Sequence, residues 1–262
     1  SAFTINGSTG GLTGVTGSPF SLTSGTNPQS VATDPSGRHL YVANQVSNNV
    51  SAFSIASGTG TLSAVAGSPF STGTLAGPRA ITIEPSGRFA YVVSATTNQV
   101  SLFSIDQTTG ALGIEVVAFP QSASVAPRAI AVDTTGQFLY VANNGDNTVS
   151  AYLIASADGS LTGIGSPVLV TPGIGPVSLA IDPLSRFLYV ANGTSDDVSA
   201  FRINEATGAL TLPPAGSPFS LAPATLTQSI TVDLSGQFAY VANASGSVTA
   251  FAINQANGGL SN

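Results

Sequence analysis

Ser51-Ala52-Phe53-Ser54-Ile55 is one of six versions of the same phrase. The others are Ser1-Ala2-Phe3-Thr4-Ile5, Ser101-Leu102-Phe103-Ser104-Ile105, Ser150-Ala151-Tyr152-Leu153-Ile154, Ser199-Ala200-Phe201-Arg202-Ile203 and Thr249-Ala250-Phe251-Ala252-Ile253. The central aromatic therefore recurs at positions 3, 53, 103, 152, 201 and 251, every 49 or 50 residues and with almost no insertion. Self-similarity at such a period marks an array of supersecondary units, each unable to bury its own faces and so stacked on its neighbours.

Working outward from the phrase, the segment before it reads Phe138-Leu139-Tyr140-Val141-Ala142-Asn143 or nearly so, around Tyr41, Tyr91, Tyr140, Tyr189 and Tyr240. Earlier still stands a β-branched run ending on an acid, as in Ala80-Ile81-Thr82-Ile83-Glu84. Turns such as Asp34-Pro35-Ser36-Gly37 join these two segments, with Pro presetting φ and Gly tolerating a left-handed backbone. After the aromatic phrase a Thr-Gly turn leads into a short segment opening at Leu12, Leu62, Leu112, Leu161 or Leu210, and a Gly-Ser-Pro-Phe loop, as at Gly17 to Phe20 and Gly216 to Phe219, leads on.

Four short strands per unit of this length are the pattern of a propeller blade. Gly and Pro recur too often for a helix to survive. The expectation is an all-β protein: a β-propeller of four-stranded antiparallel blades, forming a single domain over residues 1–262, with repeats starting near 3, 53, 103, 152 and 201 and a partial sixth from 251.

Composition excludes several classes of function. Only 7 % of residues are charged, the formal charge is −6, and the six Arg (Arg38, Arg79, Arg88, Arg128, Arg186, Arg202) are scattered, which argues against a nucleic-acid partner. No run approaches the ~18 apolar residues of a membrane span, so no membrane insertion is expected. With no Cys and no Lys there is neither thiolate metal site nor thiol nucleophile, and no cofactor or metal is expected. Ser1 in place of an initiator Met fits a mature exported protein as well as it fits a segment of a longer chain. The Gly-rich stretch from Gly7 to Gly11 precedes a strand rather than a helix, so it is not a phosphate loop.

The strings Pro35-Ser36-Gly37-Arg38, Tyr41-Val42-Ala43-Asn44 and Ser51 to Ile55, with Thr109-Gly110-Ala111-Leu112, resemble the YVTN and lactonase-like β-propeller repeats over the whole chain. Propellers of that family are typically seven-bladed and include 6-phosphogluconolactonase-like enzymes beside exported surface proteins without known chemistry. The enzymes are expected to gather His, Glu and Arg at one mouth of the channel. Here the single His, His39, stands in a slot held elsewhere by Phe89, Phe138, Phe187 and Phe238, and is expected to be a strand residue.

Asp34, Glu84, Asp133, Asp182 and Asp233 share one repeat position beside the turn, where a carboxylate caps backbone N–H groups. Asp196 and Asp197 sit in one loop, expected to be solvated rather than metal-binding. Arg79 and Arg128 follow Pro78 and Pro127, at a position matched by Gln29, Val177 and Gln228. The resemblance places that position near the channel mouth, which makes Arg79, Arg128, Gln29 and Gln228 candidate ligand-binding residues for an anion. With no base or nucleophile beside them, no catalytic residue is assigned.

The aromatic third strand occurs six times for five repeats. If the strand opening at Leu12 closed the ring on the last blade, the strand of Phe3 and Ile5 would compete with that of Phe251 and Ile253, and the displaced one would be free for strand exchange with another copy. The leading functional expectation is accordingly a non-enzymatic, exported structural or adhesive propeller at the cell surface or outside the cell. It would associate with itself, into fibres at the extreme, with glycans as further partners. The alternatives are a lactonase-like hydrolase of sugar lactones and a glycan- or small-ligand-binding module.

Overall fold

The computed structural model describes residues 1–22, 24–73, 76–114, 116–119, 125–211, 216–221 and 226–262. Its described residues form strands and turns only, arranged as repeated antiparallel sheets, so the protein is an all-β propeller. β1 (Phe3–Ile5) and β2 (Leu12–Gly14) make a two-stranded sheet by themselves.

Five fuller sheets follow. The first contains β3 (Pro28–Thr33), β4 (His39–Asn44), β5 (Asn49–Ile55) and β6 (Leu62–Ala64), with β7 (Phe70–Ser71) on the edge of β5. The second contains β8 (Pro78–Ile83), β9 (Phe89–Ser94), β10 (Gln99–Ser104) and β11 (Val116–Phe119). The third contains β12 (Pro127–Val132), β13 (Phe138–Asn143), β14 (Thr148–Ile154) and β15 (Leu161–Gly163), with β16 (Val168–Leu169) against β14. The fourth contains β17 (Pro176–Ile181), β18 (Phe187–Asn192), β19 (Asp197–Ile203) and β20 (Leu210–Thr211), with β21 (Phe219–Ser220) against β19. The fifth contains β22 (Thr227–Val232), β23 (Phe238–Asn243), β24 (Ser247–Ile253) and β25 (Leu260–Ser261).

Every residue of β9, β13 and β18 is buried, because these strands lie inside sheets covered on both faces. Apolar side chains of adjacent sheets interlock: Tyr41, Val50 and Ala52 of the first sheet pack with Ile81, Val92 and Phe103 of the second. Two polar contacts repeat across these interfaces. In the first four sheets the Tyr of the second strand donates its hydroxyl to the Gly carbonyl in the next sheet's Thr-Gly-type turn: Tyr41 to Gly110 at 3.0 Å, Tyr91 to Gly159 at 2.7 Å, Tyr140 to Gly208 at 2.9 Å and Tyr189 to Gly258 at 3.1 Å. Arg38, Arg88 and Arg186 reach across to the carbonyls of Gln107, Ser156 and Gln255 in the same turns.

The first strands β3, β8, β12, β17 and β22 pack in that order around a shared channel. Among the described residues no comparable packing joins β22 back to β3. The expected closure on the last blade is therefore not made: β2 pairs with β1, and the fifth sheet is completed by its own β25. The two copies of the aromatic strand do not compete. Phe251 and Ile253 are buried in their own sheet, whereas Phe3 and Ile5 are exposed.

Candidate active site in the channel

Each first strand opens with the same irregularity. In the second sheet Pro78 is paired with Ser94 and Ala80 with Val93, so Arg79 has no cross-strand partner; the same skip passes over Gln29, Arg128, Val177 and Gln228. One unopposed residue of this kind is a β-bulge, which bends the strand and re-aims its side chain.

The residue before each strand has a left-handed backbone: Asn27, Gly77, Ala126, Gly175 and Leu226, with φ between 51° and 71°. A loop side chain of the preceding sheet fixes that conformation. Asn48, Asn98 and Asn147 accept the N–H of Gly77, Ala126 and Gly175, each at 2.8 Å. In the last sheet the acceptor is Asp196, which takes the N–H of Thr227 at 3.0 Å, because Thr has the N–H that Pro lacks in the other repeats.

The five bulged residues line one cavity of about 420 Å³ that runs among the first strands. Gln29, Arg79, Arg128 and Gln228, singled out from the sequence, are thus brought together, with Val177 as the apolar member and Ser30, Ser178 and Ser229 beside them. Arg79 and Arg128 are half-buried and stand on neighbouring strands. Burial pushes the Arg128 guanidinium below its ordinary range, and the positive charge of Arg79 pushes it the same way. Among the described residues neither Arg has a carboxylate within ion-pair distance. The amides at the two ends of the arc are partly occupied: Gln29 donates to the Asn27 side chain at 2.8 Å and Gln228 to the Leu226 carbonyl at 3.2 Å.

The acids lie elsewhere. Glu84 is five residues along the chain from Arg79, about 16 Å at the rise of a strand. Its fellows close turns: Asp133 accepts from the N–H of Gln137 at 2.9 Å and of Phe138 at 2.8 Å, and Asp182 from the N–H of Phe187 at 2.7 Å. His39 is buried in the interface between the first two sheets, its Nδ1 3.1 Å from Asp34, so it does not face the channel. Asp197 is tied to Asn192 at 2.7 Å, and burial raises its carboxyl above the ordinary range. No group of three metal-ligating side chains occurs among the described residues. The bulge was the feature missed from sequence. Its signal was present in the repeated Pro-x pair at the head of the strand.

The cavity is walled by two guanidiniums, amides and hydroxyls, and among the described residues no acid or base lines it. Fold and channel together define a β-propeller with a cationic channel wall. The model of the lactonase, 7-bladed beta-propeller family matches residues 1–72 and 67–220, and the chain belongs to that family. A candidate 6-phosphogluconolactonase of Bacteroides uniformis superposes with a TM-score of 0.79 at 18 % identity, covering 99 % of this chain and 76 % of that one. The periplasmic gluconolactonase of Pseudomonas aeruginosa superposes with a TM-score of 0.78 at 21 % identity, covering 98 % and 76 %. No curated protein sequence matches the chain.

Family membership overturns the expectation of a non-enzymatic, self-associating structural protein in favour of the lactonase-like alternative. The competition behind that expectation is also not seen: the strand of Phe251 and Ile253 is used inside its own sheet and the strand of Phe3 and Ile5 pairs with β2.

Proposed function

We propose that the protein hydrolyses a lactone of a sugar acid in the channel, with Arg79 and Arg128 as the substrate-binding cations. The observation that carries this is the half-buried pair of guanidiniums on adjacent bulges, unneutralised by any described carboxylate. Attack of water on the lactone carbonyl carbon places negative charge on its oxygen. Collapse of that intermediate breaks the ring C–O bond and delivers a carboxylate and a hydroxyl, one proton of water ending on the ring oxygen and the other released to solvent. Charge therefore grows on the substrate along the reaction, and fixed cations in a partly desolvated cavity favour the later species over the neutral lactone. Mutual repulsion of the two cations is relieved as the anion forms. Membership of the lactonase family supports the same chemistry. The periplasmic home of the Pseudomonas relative supports an exported location.

The test is a lactone-hydrolysis assay on the native chain, on Arg128→Ala and on Val177→Ala, against the buffer rate. The native protein and Val177→Ala are expected to exceed background, and Arg128→Ala to lose about 10²-fold or more in kcat/KM, the scale of removing one oxyanion donor. A native protein indistinguishable from buffer across a panel of sugar lactones would remove the proposal.

A further inference from the structure

Arg128 owes its direction to an improbable piece of backbone. Of the five left-handed residues at the heads of the first strands, Gly77 and Gly175 adopt that conformation freely and Asn27 readily. Leu226 precedes Thr227 rather than Pro. Ala126, at φ 51°, is the one of the five that joins an apolar Cβ to a following Pro, Pro127. The Cβ disfavours a positive φ, and the Pro drives its predecessor towards extended backbone. Such conformations persist only where the surroundings impose them, and they gather at functional sites. Two hydrogen bonds impose this one. Asn98 accepts the Ala126 N–H at 2.8 Å, and the Ala126 carbonyl accepts the N–H of Asn144 at 3.1 Å. Asn144 follows β13, in the sheet of Arg128 itself, whereas Asn98 lies in the loop between β9 and β10, in the sheet that carries Arg79. Asn98 therefore fixes the head of β12 with respect to the sheet of the other guanidinium.

Building on the lactonase reading, we propose that Asn98 is a positioning residue for the reaction: by holding Ala126 left-handed it sets Arg128 beside Arg79, so that both guanidiniums meet one developing anion. Little slack lies between clamp and cation, since Pro127 has a locked φ and Arg128 is the unopposed residue of the bulge. Without the Asn98 oxygen, Ala126 relaxes towards the extended backbone that Pro127 favours, and Arg128 swings with it. Asn48 makes the same bond to Gly77 at 2.8 Å, but Gly77 holds its φ of 68° with no Cβ to resist, so Arg79 depends less on its clamp. Asn147 bonds Gly175 at 2.8 Å in the same way, at the head of a strand that carries no guanidinium. That third bond separates a loss of scaffold from a loss of aim.

Two readouts are taken on the full chain and its variants: steady-state hydrolysis of a sugar lactone, and the arginine Nε–H signals of a nitrogen–proton correlation spectrum. The chain has six Arg, and Arg128→Ala identifies the Arg128 signal by its loss. Asn98→Ala should displace that signal and lower kcat about tenfold with KM within about twofold, short of the effect of removing the guanidinium. Adding Ala126→Gly to Asn98→Ala should return the signal and most of kcat, because glycine keeps the left-handed backbone unaided. Asn48→Ala should lose less turnover than Asn98→Ala. Asn147→Ala should keep kcat within about twofold of the native chain, even where its unfolding midpoint falls as far as that of Asn98→Ala. If Asn98→Ala leaves kcat and the Arg128 signal where they were, or if Asn147→Ala costs as much turnover, the inference is overturned. A native chain without turnover removes the lactonase reading alone, and the Arg128 signal then still decides whether Asn98 holds the guanidinium.

Discussion

The second strands of the fourth and fifth sheets both read Phe-x-Tyr-Val-Ala-Asn at the same register and meet different fates. Tyr189 is 0 % exposed and bonded to Gly258, while Tyr240, its counterpart, is 39 % exposed. Phe187 is 2 % exposed and Phe238 41 %. Strand pairing does not separate the two, because β18 pairs with β19 as β23 does with β24. The difference is the presence of a following sheet. Burial in this protein belongs to the interface rather than to the blade, as a solenoid-like array requires: each unit is completed by its neighbour and contributes little as a free body.

The sharpest way to break that comparison is to spoil the surface a neighbour presents. Gly208 has φ +70° and a Cβ there would clash with the Phe138 ring; Gly10 has the same φ and open space around it. Both substitutions to Ala incur left-handed strain of about 1–2 kcal/mol. Only Gly208→Ala adds overpacking against a fully buried ring, about 1–3 kcal/mol more. Thermal or urea unfolding should therefore show Gly208→Ala as the severe variant and Gly10→Ala as the mild one. Equal losses would mean that backbone strain, not the interface, sets the cost.

A smaller effect is expected from the hydroxyl alone. Tyr189→Phe leaves the Gly258 carbonyl without its side-chain donor in a buried setting and should lower stability by about 1–2 kcal/mol, whereas Tyr240→Phe should fall within about 0.5 kcal/mol of the parent. Urea midpoints at unchanged slope measure both. A Tyr240→Phe loss as large as that of Tyr189→Phe would show that the last sheet finds an unseen cover for this residue.

The sequence made the strands legible because alternation, turn residues and the period all point the same way, from Tyr41 through Tyr240. It made the turn acids legible too, since Asp or Glu before a reversal has a local task. Gln29, Arg79, Arg128 and Gln228 were found by position in the repeat, yet what points them into the channel is a one-residue skip in pairing, and register is a property of two strands rather than one. Burial was less legible. Val31 reads like Ile81, and only the stacking order reveals that Ile81 is covered by a neighbouring sheet while Val31 is 61 % exposed. The surplus of aromatic strands was counted correctly but assigned to competition, because nothing local says that β1 and β2 pair with each other and leave the last sheet alone.

The smallest effect expected sharpens the comparison electrostatically, at Asp34. Burial in the first interface works to raise its carboxyl pKa, but hydrogen bonds from Ser36, His39 and Arg38 outweigh it, and the net result lies below the ordinary 3.8. A carboxyl whose folded pKa is depressed contributes stability that is fully present above the unfolded value and is lost as pH falls through the folded one. Asp34→Asn keeps an oxygen for the N–H groups of Arg38 and His39, at 2.8 and 2.9 Å in the parent, and gives up the charge. The variant should therefore be less stable than the parent by about 1 kcal/mol at about pH 5, with the gap closing as pH falls through the folded pKa of Asp34. Asp233, on the last sheet, is also lowered, chiefly by Ser235 and then by the Phe238 N–H, without an interface around it. If Asp34→Asn and Asp233→Asn show the same convergence with falling pH, the turn alone carries the effect. If the Asp34 gap closes more steeply, the neighbouring sheet contributes to holding the charge.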